Sequence, residues 1–319
     1  MEQFMKINTA VNGFVWGPVM LALLVGTGIY LSIAVGFIQF TKIGYWWKNT
    51  IGKIFKKGEA GDGEITPLQA VSTALASTVG TGNIAGVTGA IILGGPGAVF
   101  WMWVSALFGM VTKFSEVTLA VKYRERNEKG DWCGGPMYYI KNGLSKHWQF
   151  LAVLYSLFGV LTVFGTGNAT QVNTITTAIN SALLNFNIIP ESATKITNLI
   201  IGIIVAVMVA MILLGGVKRI GRVTERLIPF MALLYIVLAF GVIILNIDRV
   251  PGVFYSIVDG AFHPASVTGG IVGSFFLSMK KGVARGIFSN EAGLGTGSIA
   301  HACADTGEPV KQGMFGIFE

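Results

Sequence analysis

Serine, threonine, asparagine and glycine gather at a place where a helix in hydrocarbon has no use for them. The segment Ser77-Thr78-Val79-Gly80-Thr81-Gly82-Asn83-Ile84-Ala85-Gly86 lies within the charge-free stretch from Ile65 to Thr112. Backbone polar groups meet no water at bilayer depth, so a glycine-loosened segment there must be buried in protein or line a watery cavity. A helix broken at such a point frees amides at a positive helix end, which suit an anionic group, and carbonyl oxygens, which suit Na+. The chemistry indicated is binding of an anion and a cation side by side. The pattern recurs: Gly165-Thr166-Gly167-Asn168 lies in a later apolar run, and Gly295-Thr296-Gly297-Ser298-Ile299-Ala300 nearly repeats Gly80 to Ala85. Similar breaks in two parts of one chain suggest internal repeats.

Other readings of these residues compete. Gly82-x-x-x-Gly86 has the small-residue spacing that lets helices approach closely, and Gly86 and Gly89 are expected to serve it. Packing alone does not call for Asn83 beside Thr78 and Thr81. A dinucleotide-binding fingerprint fails, because the third glycine comes one residue too late and no strand precedes the break. Asn168 and Gln171 stand one helical turn apart on one face of an apolar helix, where buried amides need a substrate, an ion or a neighbouring helix as partner. Ser289-Asn290-Glu291 with His301 offers residue types for a nucleophile, an acid and a base. No Gly-x-Ser-x-Gly elbow, H-E-x-x-H pair or P-loop accompanies them, so an enzyme is not expected. Each histidine reads as a helix-end or interfacial residue, and Cys133 and Cys303 lack metal-ligand companions and are expected to stay reduced.

The elements that position these residues follow from composition. Of 319 residues, 52% are apolar, 12% are charged and 43 are glycine, which describes an all-α polytopic membrane protein lying in a lipid bilayer. Seven spans are expected, at Phe14–Phe40, Pro67–Leu93, Gly97–Val121, Gln149–Thr176, Ile196–Gly215, Leu227–Asn246 and, broken, from Ser266 to about Ala284. Only about a dozen apolar residues precede Lys280-Lys281, so the last span is expected to break near Met279 or to expose Lys280 to Arg285 in a wet inner vestibule. Lysine and arginine crowd alternate connections, after spans one, three and five. Those connections are assigned to the cytoplasm, with the amino terminus outside. The net charge of +7 is thereby accounted for, and a nucleic-acid partner is not expected. No cleavable signal peptide is expected before the first span.

Three separated motifs resemble one family. They are the stretch from Thr66 to Gly97, the loop Cys133-Gly134-Gly135-Pro136-Met137-Tyr138-Tyr139-Ile140, and Gly282 to Gly295 with its core Arg285-Gly286-Ile287-Phe288-Ser289-Asn290-Glu291. From about Val11 to the last residue the chain is similar to the alanine or glycine:cation symporters, secondary transporters of the cell membrane that couple small neutral amino acids, alanine or glycine, to Na+. The resemblance implies a leucine-transporter-like inverted-repeat core of five plus five helices after one extra amino-terminal span. Residues 1–64 would hold that span and a cytoplasmic amphipathic connection, 65–250 the first repeat, and 251–319 an extracellular connection and the start of the second. Family members continue for roughly four more spans, so the chain is expected to lack the last ones. It also implies Na+ on the carbonyl at Thr78 and the side chain of Asn83, and a second Na+ on the carbonyls at Ala76 and Val79. No organic cofactor is expected.

For an amino-acid substrate, the amides of Thr81 and Gly82 suit the carboxylate by geometry and dipole. Thr78, Asn83, Asn168 and Gln171 are further candidates around it, with Phe276 and Met279 as walls. Arg285, Ser289, Asn290 and Glu291 form the candidate gate, with Glu291 expected to pair with Arg285 or Lys281. A channel or an intramembrane enzyme is the alternative reading.

Overall fold

A computed structural model describes residues 2–50, 52, 65–263 and 270–319. The helices are α1 (Glu2–Val15), α2 (Pro18–Ala34), α3 (Ile38–Thr41), α4 (Ile43–Asn49), α5 (Pro67–Thr78), α6 (Ala85–Gly94), α7 (Gly97–Lys122) and α8 (Pro136–Gly143). They continue with α9 (Phe150–Thr162), α10 (Thr170–Asn185), α11 (Thr194–Leu213), α12 (Gly216–Leu245), α13 (Val250–Phe262), α14 (Gly270–Asn290), α15 (Thr296–Ala302) and α16 (Pro309–Phe318). Two short strands, β1 (Glu125–Arg126) and β2 (Trp132–Cys133), pair antiparallel with Glu125 opposite Cys133. The all-α class holds.

Among the described residues, five stretches are long and apolar enough to cross a membrane: Met5–Ala34, Gly97–Lys122, Lys146–Asn185, Glu191–Leu213 and Gly216–Leu245. Large apolar side chains such as Phe158, Leu199, Ile203, Leu233 and Phe240 are exposed on α9, α11 and α12. Helices apolar on their outer faces belong in hydrocarbon. The buried core runs along α7, where Val111, Phe114, Val117 and Ala120 are covered by α14 and α16. Glycine permits that approach: a Cβ on Gly286 would lie 2.9 Å from the Ser105 side chain, and one on Gly316 would lie 2.8 Å from the Lys113 carbonyl.

Several boundaries differ from expectation. Span one is interrupted at Trp16-Gly17 and ends at Ala34, where Gly36 (φ 66°) and Phe37 (φ 52°) adopt left-handed backbone that a helix cannot continue. Span four runs on to Asn185, and its Gly-Thr-Gly-Asn sequence does not open the helix. Val163–Ala169 instead forms a π-helical stretch joining α9 to α10, the wider turn that glycine tolerates within a continuous helix. The connection between spans six and seven contains helix α13. The expected start of the last span at Ser266 lies outside the described residues, as does most of the amphipathic connection before residue 65. The break expected near Met279 is absent: α14 passes unbroken through Lys280-Lys281 to Asn290. Its Gly282 is pressed against the Ala98 carbonyl of α7, and that packing carries the helix past the lysines. The residues that demand a turn come later, with positive φ at Glu291, Gly293 and Gly295.

Candidate functional site

The first half-helix is fixed at both ends. Thr66 accepts from the Gln69 amide at 3.1 Å and its own amide donates to Gln69 Oε1 at 3.1 Å, a capping box with Pro67 at the first helical position. α5 stops at Thr78, and Val79 is extended (φ −83°, ψ 101°). Among the described residues no backbone amide returns to the carbonyls of Ala76, Thr78 or Val79, so these orphans of the helix end stay available.

The six residues between α5 and α6 form a closed turn. Gly80 N–H donates to Asn83 Oδ1 at 3.0 Å; Asn83 N–H donates back to the Gly80 carbonyl at 3.1 Å and Gly86 N–H to the Thr81 carbonyl at 3.0 Å. Two neighbours complete it. Gln171 of α10 accepts from Thr81 N–H at 3.2 Å and from the Thr81 hydroxyl at 2.6 Å, both on Oε1. Asn83 Nδ2 donates to Ser289 Oγ at 2.9 Å and to the Ser289 carbonyl at 3.3 Å. A side-chain oxygen thus sits on both Thr81 donors, one of them an amide expected to face a carboxylate.

Glycine allows close packing on the α14 side. A Cβ on Gly82 would lie 3.0 Å from the Phe288 ring, and one on Gly86 would lie 2.8 Å from the Arg285 guanidinium, which itself covers the Phe288 ring at 5.2 Å. The fold therefore gathers Thr81, Gly82, Asn83, Gln171, Arg285 and Ser289. Other expected residues stand apart. Phe276 is 55% exposed, Asn168 is exposed on the π-helical stretch, and Met279 packs with Leu21, Val283 and Ile287.

The second break, Glu291 to Gly295, carries the rest of the gate residues. Asn290 Oδ1 accepts from the Ala292 amide at 3.0 Å. Glu291 accepts from the Thr296 hydroxyl at 2.6 Å, closing its own turn instead of pairing with Arg285 or Lys281. Arg285 is drawn away by the Phe288 ring, a turn earlier on the helix. Beside this break Glu116 of α7 accepts from the Gly293 amide at 2.8 Å.

Behind the first break lies a buried charged network. Glu319 Oε1 accepts from Lys113 Nζ at 2.8 Å and from the Thr78 hydroxyl at 2.8 Å, and its Oε2 meets His301 Nε2 at 3.2 Å. His301 stands in the last turn of α15, as its helix-end reading expected, but is fully buried rather than interfacial. It turns to Glu319 and Gln312 rather than to Ser289. A Cβ on Gly297 would lie 2.9 Å from Lys113 Nζ, which gives this glycine of the second motif its reason. Sequence reasoning missed Lys113, Glu116 and Glu319. The signal was present for the first two, since ionisable residues within an apolar span are functional candidates by default.

The loop side is pinned as well. Ile65 bridges Ala304 in parallel, and Arg124 donates to the carbonyls of Ala302 at 2.8 Å, Ala304 at 2.7 Å and Thr306 at 2.6 Å. This ties the start of α5 to the end of α15. Both cysteines are free. Among the described residues no group of three or more His, Cys, Asp and Glu side chains is placed for a metal, so a cation at the first break would rest on carbonyl, hydroxyl and amide oxygens.

Comparison with known proteins places this geometry. The sodium:alanine symporter family matches residues 1–319. A Haemophilus influenzae protein described as an uncharacterized transporter is 47% identical over 98% of this chain and 65% of its own length. The sodium/alanine symporter AgcS of Methanococcus maripaludis is 43% identical over 98% of this chain and 66% of its own. The probable sodium/glutamine symporter GlnT of Bacillus subtilis is 38% identical over 100% and 63%. The chain thus spans about two thirds of the length of these relatives. A family match along the whole chain, joined to five stretches long and apolar enough to cross a membrane, identifies it as a membrane protein of the sodium:alanine symporter family.

Proposed function

We propose that the protein belongs to a sodium-coupled symporter that imports small neutral amino acids, alanine or glycine, across the cell membrane by alternating access. The observation that carries this is the α5–α6 break, with free carbonyls on one side and the Thr81 donors on the other. The substrate carboxylate takes the Thr81 and Gly82 amides, displacing Gln171 Oε1 from Thr81, and Gln171 then turns to the substrate ammonium. One Na+ takes the Thr78 carbonyl with the Asn83 amide oxygen, released from Gly80, and a second takes the carbonyls of Ala76 and Val79. An uncompensated amino acid would be costly at this depth, so the ion and the carboxylate bind together.

Support for paired repeats comes from the first break meeting the helix that leads into the second, since Asn83 bonds Ser289 near the end of α14. In this reading residues 1–64 precede the repeats, 65–250 form the first and 251–319 begin the second. The amino terminus is extracellular and further spans complete the second repeat. Arg285, Ser289, Asn290 and Glu291 act as the hinge and gate, while Asn168, Phe276 and Met279 approach the substrate in other conformations.

The test is uptake of labelled alanine into proteoliposomes with and without an inward Na+ gradient, using protein of the full length of its relatives. Uptake should require the gradient and show counterflow. Uptake indifferent to Na+, or flux without counterflow, overturns the proposal.

A further inference from the structure

α7 carries two buried ionisable side chains one turn apart, Lys113 and Glu116. Lys113 is committed to Glu319 at 2.8 Å. Glu116 is only half satisfied. Its Oε1 accepts from the Gly293 amide at 2.8 Å and the Gly295 amide also faces the carboxyl, yet Oε2 is buried without a hydrogen-bond partner.

The charges around it do not balance. Gln312 Nε2 lies 2.8 Å from His301 Nδ1, and an amide nitrogen only donates, so Nδ1 carries the lone pair and the ring is neutral with its proton on Nε2. Lys113 and Glu319 cancel. Glu116 as an anion would leave the network one positive charge short. Tyr139 on α8 and Tyr155 on α9 also face Glu116, Glu291 at the second break faces the Lys113–Glu319 pair, and none of these can supply a positive charge.

A proton restores the balance. A bare carboxylate in this setting costs more than a carboxyl whose hydroxyl lacks an acceptor. Na+ fits poorly, because the groups aimed at the carboxyl are N–H donors and a hard cation needs several oxygens. We propose that Glu116 is a proton-binding site at the second helix break, its carboxyl held neutral in this conformation with the proton on the unpartnered oxygen. Loss of the proton places an anion against the turn whose Gly293 (φ 93°) and Gly295 (φ 73°) make the break. Proton occupancy and the shape of the break are therefore linked.

Infrared difference spectroscopy tests this directly on purified protein, whether or not it carries amino acids. The parent should show a protonated-carboxyl carbonyl band at neutral pH that fades on alkalinisation, is missing in Glu116→Gln and is shifted in Glu116→Asp. Glu116→Asp keeps the assignment testable should the glutamine variant fail to fold. A band unchanged in both variants overturns the proposal. So does its absence from the parent, which moves the missing charge to His301, or its appearance only when Na+ is withdrawn, which assigns the site to Na+. A second arm rests on the symporter reading: alanine uptake at saturating Na+ should fall about tenfold per pH unit on the alkaline limb in the parent, the dependence of one proton, and lose that limb in Glu116→Gln. An unaltered limb in a folded Glu116→Gln protein counts against the site.

Discussion

Removing the positive charge from the pair behind Thr78 should destabilise the protein by an amount that its own acid-base chemistry limits. Lys113 Nζ and Glu319 Oε1 are 2.8 Å apart, with side chains 4% and 0% exposed. At an effective dielectric constant near 20 their attraction is about 6 kcal/mol, most of it offset by the cost of taking two ions out of water. Lys113→Met keeps the stem and deletes the charge. Glu319 is then left either as a bare buried anion, at several kcal/mol, or protonated. Starting from an ordinary glutamate, protonation at pH 7 costs about 3.7 kcal/mol, which caps the loss. The variant should therefore lose roughly 3–4 kcal/mol at pH 7, and the loss should shrink by about 1.4 kcal/mol per pH unit of acidification. The sign follows because the unfolded chain gives up this proton as pH rises while the folded variant holds it, so stability is present at low pH and lost toward neutrality. Lys113→Met with Glu319→Gln removes both charges and should lie within about 1 kcal/mol of the parent. Thermal unfolding at pH 7 and pH 5 reads the outcome, at about 2–4 °C per kcal/mol for large domains. A single variant that melts with the parent at pH 7, or whose deficit does not shrink at pH 5, refutes the reasoning.

Gly82→Val places a branched side chain against the Phe288 ring, so alanine binding should vanish by calorimetry; affinity within about twofold of the parent contradicts the role given to that backbone. Gln171→Leu leaves the Thr81 amide and hydroxyl without their acceptor, at about 1–3 kcal/mol for each donor that stays dry. If substrate takes those donors, melting should recover on adding alanine more than it does for the parent. Equal recovery shows that Gln171 only braces the break. Asn83→Leu removes a Na+ ligand of the proposed site together with the bond to Ser289. Titrating alanine across a Na+ series should show the mutual tightening of the two, worth about 1–3 kcal/mol in typical coupled sites, largely lost; an undiminished Na+ dependence assigns Asn83 to packing.

The sequence by itself determined the membrane class, most of the spans and the place of the first break, because these depend on local quantities. Apolar length sets a span, and glycine, hydroxyl and amide side chains in the middle of one mark where the backbone leaves the helix. Local pattern failed where the same residues have two uses. Gly165-Thr166-Gly167-Asn168 looks like a break and is a π-helical stretch, and Lys280-Lys281 looks like an end and is carried through by α7 packed against Gly282. Only the tertiary structure decided which polar groups meet. Gln171 reaches Thr81 across 90 positions, and Glu319 gathers Thr78, Lys113 and His301 from three other helices. A buried ionisable group is legible as an anomaly in sequence, but its partner is chosen by how helices pack, and no spacing along the chain records that choice.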